Sequence, residues 1–261
     1  MSRRHTTSKT GRTEKSSGKQ TNTKPMKYYV IDAFADRLFS GNPAGVCLPE
    51  REIPDTLMQK IAFENNLTET AFLMRDAEGY RLRWFTPAVE IDLCGHATLA
   101  AAFVIMEYID RGRTQIRFET QSGTLEVVRK GDLYTMNFPR RAAGPVAAPP
   151  LLEQALGCPI AETRLARDLL VRVGSEAEVA GLKPDISLLG KITEGTAFAV
   201  IVTAAGETCD FVSRFFASNA GIAEDPVTGS AHSTLIPYWN ERLHKPRMTA
   251  RQLSPRGGTL I

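Results

Sequence analysis

Two short segments hold side chains that can bind an anion or move a proton. They are Glu90-Ile-Asp-Leu-Cys-Gly-His-Ala-Thr-Leu99 and Glu224-Asp-Pro-Val-Thr-Gly-Ser-Ala-His-Ser233. In each, a glycine followed by a small polar or imidazole residue opens an apolar stretch. Gly95-His96-Ala97 and Gly229-Ser230-Ala231 therefore read as two helix N-termini, where unpaired N–H groups and the helix dipole attract anions. Glycine lets a carboxylate approach the main chain closely. The plainer reading is N-capping, for which Thr228 and Ser230 are good residues. His96 can donate to a ligand or act as an acid/base, and a lone histidine is more often a hydrogen-bonded structural group. Asp225, before Pro226, also fits turn chemistry. Cys94 sits at a helix start, which lowers a thiol pKa; as a small buried hydrophobe it needs no catalytic role. Outside these segments Glu69 lies between Thr68 and Thr70 at the start of an apolar strand. Burial there raises its pKa toward working pH and makes it a better general base. On composition alone it reads as a solvated strand-edge acid.

These residues need elements to position them. Lys27–Phe34 and Ala44–Leu48 are β-rich and separated by the turn cluster Ser40-Gly-Asn-Pro43. Asp55 is placed to cap a helix running to Asn65. Thr70–Arg75 and Tyr80–Phe85 read as strands, the second stopped by Thr86-Pro87. Gly95–Ile109 is apolar all round, the mark of a buried helix. Strands follow near 115–120, 123–129 and 133–138, and Arg140–Pro150 reads as a boundary. Beyond it come strands near 169–173, 198–203 and 210–216, a capping box at Ser175-Glu-Ala-Glu178, and a second central helix over Gly229–Leu243. The halves share a plan, with Gly95 laid on Gly229: several strands, one glycine turn, one buried helix. That predicts an internal duplication, lobes 26–139 and 140–261, and both helix N-termini facing one cleft.

Composition removes whole classes of function. The 261 residues carry 32 Lys+Arg and 29 Asp+Glu, a net charge of +3, with 43% apolar residues. This is an ordinary globular balance, and no apolar run approaches the ~20 residues of a membrane span. Residues 1–25 hold seven Lys/Arg against one acid, +6, which leaves −3 on the rest. The segment has almost nothing to bury and is expected to be disordered; it lacks the apolar core of a secretory signal. A basic arm for nucleic acid is the alternative to a solvated tail, but the mildly acidic body argues against nucleic acid as the main ligand. The four cysteines are widely spaced with no C-x-x-C pair, so no metal site is expected and a reducing, cytoplasmic setting is. No phosphate-binding or dinucleotide-binding glycine motif is found, nor a nucleophile elbow.

Six segments together resemble the PhzF family of phenazine-biosynthesis-like isomerases, in particular its YddE-like branch. They are Asp32-Ala-Phe34, Phe39-Ser-Gly-Asn-Pro-Ala-Gly-Val46, Asn66-Leu-Thr-Glu-Thr-Ala-Phe72, Trp84-Phe-Thr-Pro87, Asp92-Leu-Cys-Gly-His-Ala-Thr-Leu99 and Glu224-Asp-Pro-Val-Thr-Gly-Ser-Ala-His232. They occur in order over residues 26 to 261. The resemblance implies an α/β (α+β) diaminopimelate-epimerase-like fold, two pseudo-symmetric lobes each wrapping a curved sheet around one helix. It implies a catalytic carboxylate at Glu69, with His96 and Asp225 completing the catalytic set. Gly95, Gly229, Ser230 and Cys94 are implied around a small carboxylate substrate, with His232 set further back. It also implies no cofactor, no metal and a homodimer. The chain ends at Gly257-Gly-Thr-Leu-Ile261, where members of the family continue for another hairpin. The resemblance thus implies a shortened second lobe with an open sheet edge, in a fold whose chain end returns to the first lobe.

Three functions are compatible with these residues. One is a cofactor-independent isomerase that moves a proton with Glu69. Another is a racemase or epimerase using Cys94, although its partner position in the second lobe holds Thr228 rather than a second thiol. The third is a non-catalytic small-molecule-binding protein on the same scaffold.

Overall fold

A computed structural model describes residues 26–75 and 79–261. The basic segment 1–25, with its expected disorder, lies outside the described residues. In the first lobe, β1 (Lys27–Ala33), β2 (Asn42–Leu48), β3 (Glu69–Arg75), β4 (Tyr80–Phe85), β5 (Glu90–Ile91), β6 (Gln115–Thr120), β7 (Gly123–Lys130) and β8 (Leu133–Met136) form one sheet. Its order is β1-β2-β3-β4-β6-β7-β8, with β5 on β4. Helix α1 (Asp55–Asn65) links β2 to β3, and α2 (Gly95–Val104) links β5 to β6. In the second lobe, β9 (Gly144–Pro145), β10 (Glu162–Leu165), β11 (Leu169–Arg172), β12 (Val200–Ala205), β13 (Phe211–Phe216), β14 (Ala250–Gln252) and β15 (Gly258–Leu260) run in order across a second sheet. Helices α3 (Leu152–Leu156), α4 (Glu176–Gly181), α5 (Ile186–Thr193) and α6 (His232–Leu243) complete it.

The duplication is visible in the pairing. From β1 to β7 the contacts run antiparallel, parallel, antiparallel, parallel, antiparallel. From β10 to β15 they run in the same sequence. The second parallel step is bridged by α2 in one lobe and α6 in the other.

Alternation along the strands explains why each sheet is covered on both faces. In the first lobe Val46, Ala71 and Leu73 pack on α2 through Ala97, Ala100, Ala101 and Val104. Their neighbours Cys47, Phe72 and Met74 pack on α1 through Met58 and Ala62. In the second lobe Ile201, Phe211 and Phe215 meet Leu235 and Trp239 of α6. Val200, Val202 and Phe216 meet α4 and α5 through Val179 and Leu189. The alanines of α2 let the surrounding strands close tightly on it, and a buried large side chain here is worth roughly 1.5–3 kcal/mol.

Some boundaries differ from expectation. Asp55 does not cap α1: Pro54 holds that position and Asp55, inside the first turn, pairs with Arg83 at 2.7 Å. The helix predicted to run to Ile109 finishes as a π-turn over Ile105–Ile109. The second central helix opens as a 3-10 turn, Gly229–Ala231, and becomes α-helical only at His232. Strand β1 ends at Ala33 because Phe34 turns into the left-handed region, φ 60°. The capping box at Ser175 and Glu178 forms with both bonds in place.

The two lobes meet through the segment after β14. Gly41 N–H donates to the Gly257 carbonyl (2.7 Å), and Arg256 binds Asp32 Oδ1 (2.8 Å) and the Gly41 carbonyl (2.9 Å). On the edge strand β15, Thr259 N–H reaches the Phe34 carbonyl (3.4 Å). Gly41 has φ +77°, and a Cβ there would lie 2.3 Å from the Ala33 carbonyl, so this turn requires glycine.

Candidate active site

Glu69 is the first residue of β3, and parallel pairing sets it beside Ala44, two residues past Asn42. It is only 8% exposed. Burial, then the charge of Asp225, pushes its pKa up to about 8, against the opposing pull of the Thr68 hydrogen bond. His96, on the first turn of α2, is 6% exposed, and burial takes its pKa down to about 3. The imidazole is therefore neutral at any working pH. Its Nε2 approaches Glu69 Oε2 to 3.2 Å, yet neither buried atom has a well-aligned hydrogen bond. Two orphaned polar atoms facing each other in a buried site are uncommon, because each costs desolvation energy that a good hydrogen bond would offset.

Asp225 arrives from the other lobe and is 8% exposed. Burial raises its pKa to about 6, opposed by hydrogen bonds from Thr228 and Asn42. The Thr228 hydroxyl donates to Oδ2, and Asn42 Nδ2 donates to Oδ1 at 2.8 Å. The expected N-capping by Thr228 is thus replaced by a bond to Asp225. Gln252, on β14, clamps the same turn. Its Nε2 donates to the Asp225 carbonyl (2.7 Å), and its Oε1 accepts from Thr228 N–H (2.8 Å). Glu224, just before, is held by Arg214 through two bonds of 2.6 and 2.8 Å.

The structure thus brings Glu69, His96, Cys94 and Asp225 together. Cys94 Sγ lies 3.5 Å from His96 Nδ1. The expectation of a lowered thiol pKa is corrected: burial, then the charges of Glu69 and Asp225, hold the thiol well above its ordinary value despite the helix N-terminus. Glu69, Cys94 and His96 are close enough together to hold a metal ion. However, His96 turns Nδ1 to the thiol and Nε2 to the carboxyl, an arrangement that favours proton sharing over common ligation of one ion.

Ser230 is drawn away from this cluster, its Oγ accepting from Arg167 Nη2 at 3.3 Å. His232 is half-buried, with Nδ1 2.9 Å from the Thr228 carbonyl and a pKa lowered by loss of solvent to about 4. Gly95 and Gly229 are approached by aromatic rings. A Cβ on Gly95 would sit 2.2 Å from Phe138 Cζ, and one on Gly229 would sit 3.3 Å from both Phe138 Cζ and Phe34 Cζ. Phe138 therefore lies between the two helix starts. Sequence reasoning gave no role to Asn42, Gln252 or Phe138. Asn42 stood in a recognised turn cluster, whereas nothing near Gln252 or Phe138 marked them.

The family model described as phenazine biosynthesis-like protein matches residues 31–260. The chain belongs to this PhzC-PhzF family. A family relative, an uncharacterised isomerase of Pseudomonas aeruginosa, is 48% identical over 236 residues, covering 90% of this chain and 89% of its own. The crystal structure of a PhzF-family phenazine biosynthesis protein from Enterococcus faecalis is 48% identical, covers 90% of each chain and superposes with a TM-score of 0.87. A hydroxyproline epimerase from Agrobacterium vitis, 13% identical over 90% of this chain and 82% of its own, shares the fold with a TM-score of 0.60. The fold is thus the mixed α/β, two-sheet architecture of the PhzF proteins and of the proline-epimerase-like group. Among the described residues no helix is long and apolar enough to cross a membrane.

Proposed function

We propose that this member of an isomerase-like family moves a proton between carbons of a small carboxylic acid, with Glu69 as the general acid/base and without a cofactor. One observation carries the reading: a buried carboxyl with a pKa near 8 points an unsatisfied oxygen at the unsatisfied nitrogen of a neutral imidazole. A carboxyl so raised is matched to proton transfer near neutral pH, and about a tenth of it is ionised at pH 7. Once Glu69 has taken a proton from one carbon, burial keeps that proton on it until another carbon accepts it. The acid thereby serves as its own proton store, while the electron pair left on carbon passes into the substrate's own carboxylate as an enolate. Asp225, with its lower pKa, carries the negative charge that keeps Glu69 proton-loving. The main-chain N–H groups at Gly95 and Gly229 are suited to the substrate carboxylate, with Cys94 and Ser230 flanking those glycines in the chain.

A Cys94-centred racemase is the weaker reading. The thiol is held protonated by its surroundings, and the matching position of the second lobe is Thr228. The four unpaired cysteines fit a reducing, cytoplasmic setting, and a homodimer is part of the proposal on family grounds. The two lobes, divided near residue 140, would supply one half of the site each.

The test is incubation in deuterium oxide with small amino, hydroxy and cyclic diene carboxylic acids, scored by mass spectrometry. Deuterium at carbon that disappears in a folded Glu69→Gln variant is the expected result. Exchange that survives in the variant would assign the proton transfer elsewhere.

A further inference from the structure

Asn42 is fully buried, at 0% exposure, at the point where the two lobes meet in the site. Its side chain has one workable orientation. Nδ2 lies 2.9 Å from the Val227 carbonyl, which can only accept, and 2.8 Å from Asp225 Oδ1. Oδ1 accepts from the Thr68 hydroxyl at 3.0 Å. Turning the amide over would set its oxygen against a carbonyl and a carboxylate. The nitrogen 3.4 Å from His96 Nδ1 has given its two hydrogens to Val227 and Asp225, and an amide nitrogen offers the ring no lone pair. A hydrogen on Nδ1 would meet an amide nitrogen that cannot accept it, so Nδ1 carries a lone pair. Cys94, the other neighbour of Nδ1, keeps its thiol proton and can donate to that same lone pair.

We propose that Asn42 is a positioning residue that holds His96 as the neutral Nε2–H tautomer, aimed at Glu69, and keeps Asp225 in register beside it. The catalytic consequence rests on the function proposed above; the tautomer does not. With Nε2–H facing it, Glu69 can only accept from His96, so the carboxyl proton is directed away from the imidazole toward the substrate. In the opposite tautomer the Nε2 lone pair would capture that proton in a hydrogen bond and hold it away from carbon. The amide thus keeps the transferable proton available, although Asn42 touches no reacting atom.

Long-range proton–nitrogen correlation spectra of the full chain labelled with ¹⁵N-histidine read the tautomer directly. The His96 signals are assigned by their loss in His96→Gln. The wild-type protein is expected to show His96 as Nε2–H alone. In Asn42→Leu and Asn42→Ser the Nδ1–H form should become populated, and kcat for carbon deuteration should fall about tenfold or more with KM little changed. A wild-type spectrum showing Nδ1–H or imidazolium overturns the inference, and it needs no variant to fold. A folded Asn42 variant in which His96 remains wholly Nε2–H overturns it too, by giving the role to Cys94 alone. If the wild-type tautomer is Nε2–H and shifts in the variants, yet no acid exchanges, the tautomer inference is supported and the isomerase reading fails.

Discussion

Replacing Glu69 with Gln should change the stability of the protein in a way that depends on pH. The folded state holds the Glu69 proton up to about pH 8, whereas the carboxyl ordinarily releases it near 4.5. Between these values the folded chain binds more protons than the unfolded chain, so the wild type loses stability as pH rises. The slope is about 1.4 kcal/mol per pH unit, so from pH 5 to pH 7 the wild type should lose roughly 3 kcal/mol relative to Glu69→Gln. Below the ordinary value the carboxyl is protonated in both states and the difference levels off. Above pH 8 it levels off again. Other titrating groups, Asp225 included, are present in both proteins and largely cancel. Urea unfolding followed by the fluorescence of the buried Trp84 and Trp239, at pH 5, 6, 7 and 8, gives the difference directly. A stability gap that stays constant across this range would refute the claim that burial has raised the Glu69 pKa, and with it the proton-store mechanism.

Other outcomes follow from the same geometry. If ionised Glu69 takes the first proton, kcat/KM for carbon deuteration should rise with pH toward 8, as Glu69 ionises; a rate that falls over pH 6–8 would make Glu69 the acid of the first step. Gly95→Ala should destabilise the chain by about 1–3 kcal/mol, because its Cβ would meet the Phe138 ring. The double variant with Phe138→Ala should recover part of that loss in thermal unfolding, and no recovery would show that the ring is not the obstacle. Cys94→Ala should keep most of the deuteration activity, since the thiol is held protonated; a hundredfold loss would revive the Cys94 mechanism.

Much of the architecture was legible because burial leaves a periodic trace. The wholly apolar run after Gly95 could only be an enclosed helix, and the two Gly turns in matching contexts gave away the duplication. What failed was local: Phe34 was read into a strand, yet a contact with the chain 225 residues later bends it out of the β region. The candidate site residues were legible through motif order, but their electrostatics were not. Cys94 sits at a helix start that should lower its pKa, and the desolvation imposed by two packed lobes outweighs the dipole. Gln252 was invisible for a related reason. Its role depends on β14 lying parallel to β13, next to the turn that leaves β13, and no spacing in the sequence encodes that neighbour.

The junction between Gly41 and Gly257 has a consequence for assembly. The turn that presents Asn42 is completed by Arg256, Gly257 and Thr259, more than 200 residues downstream. Contacts of such sequence separation close slowly, because the intervening chain must be ordered first. The first lobe can collapse around α2 as soon as β8 has left the ribosome, since every strand of its sheet is then present. Its share of the proposed site, however, must wait for β14 and β15 of the second lobe. On the proposed function, a half-made chain would therefore be folded but chemically silent until the β14–β15 hairpin docks.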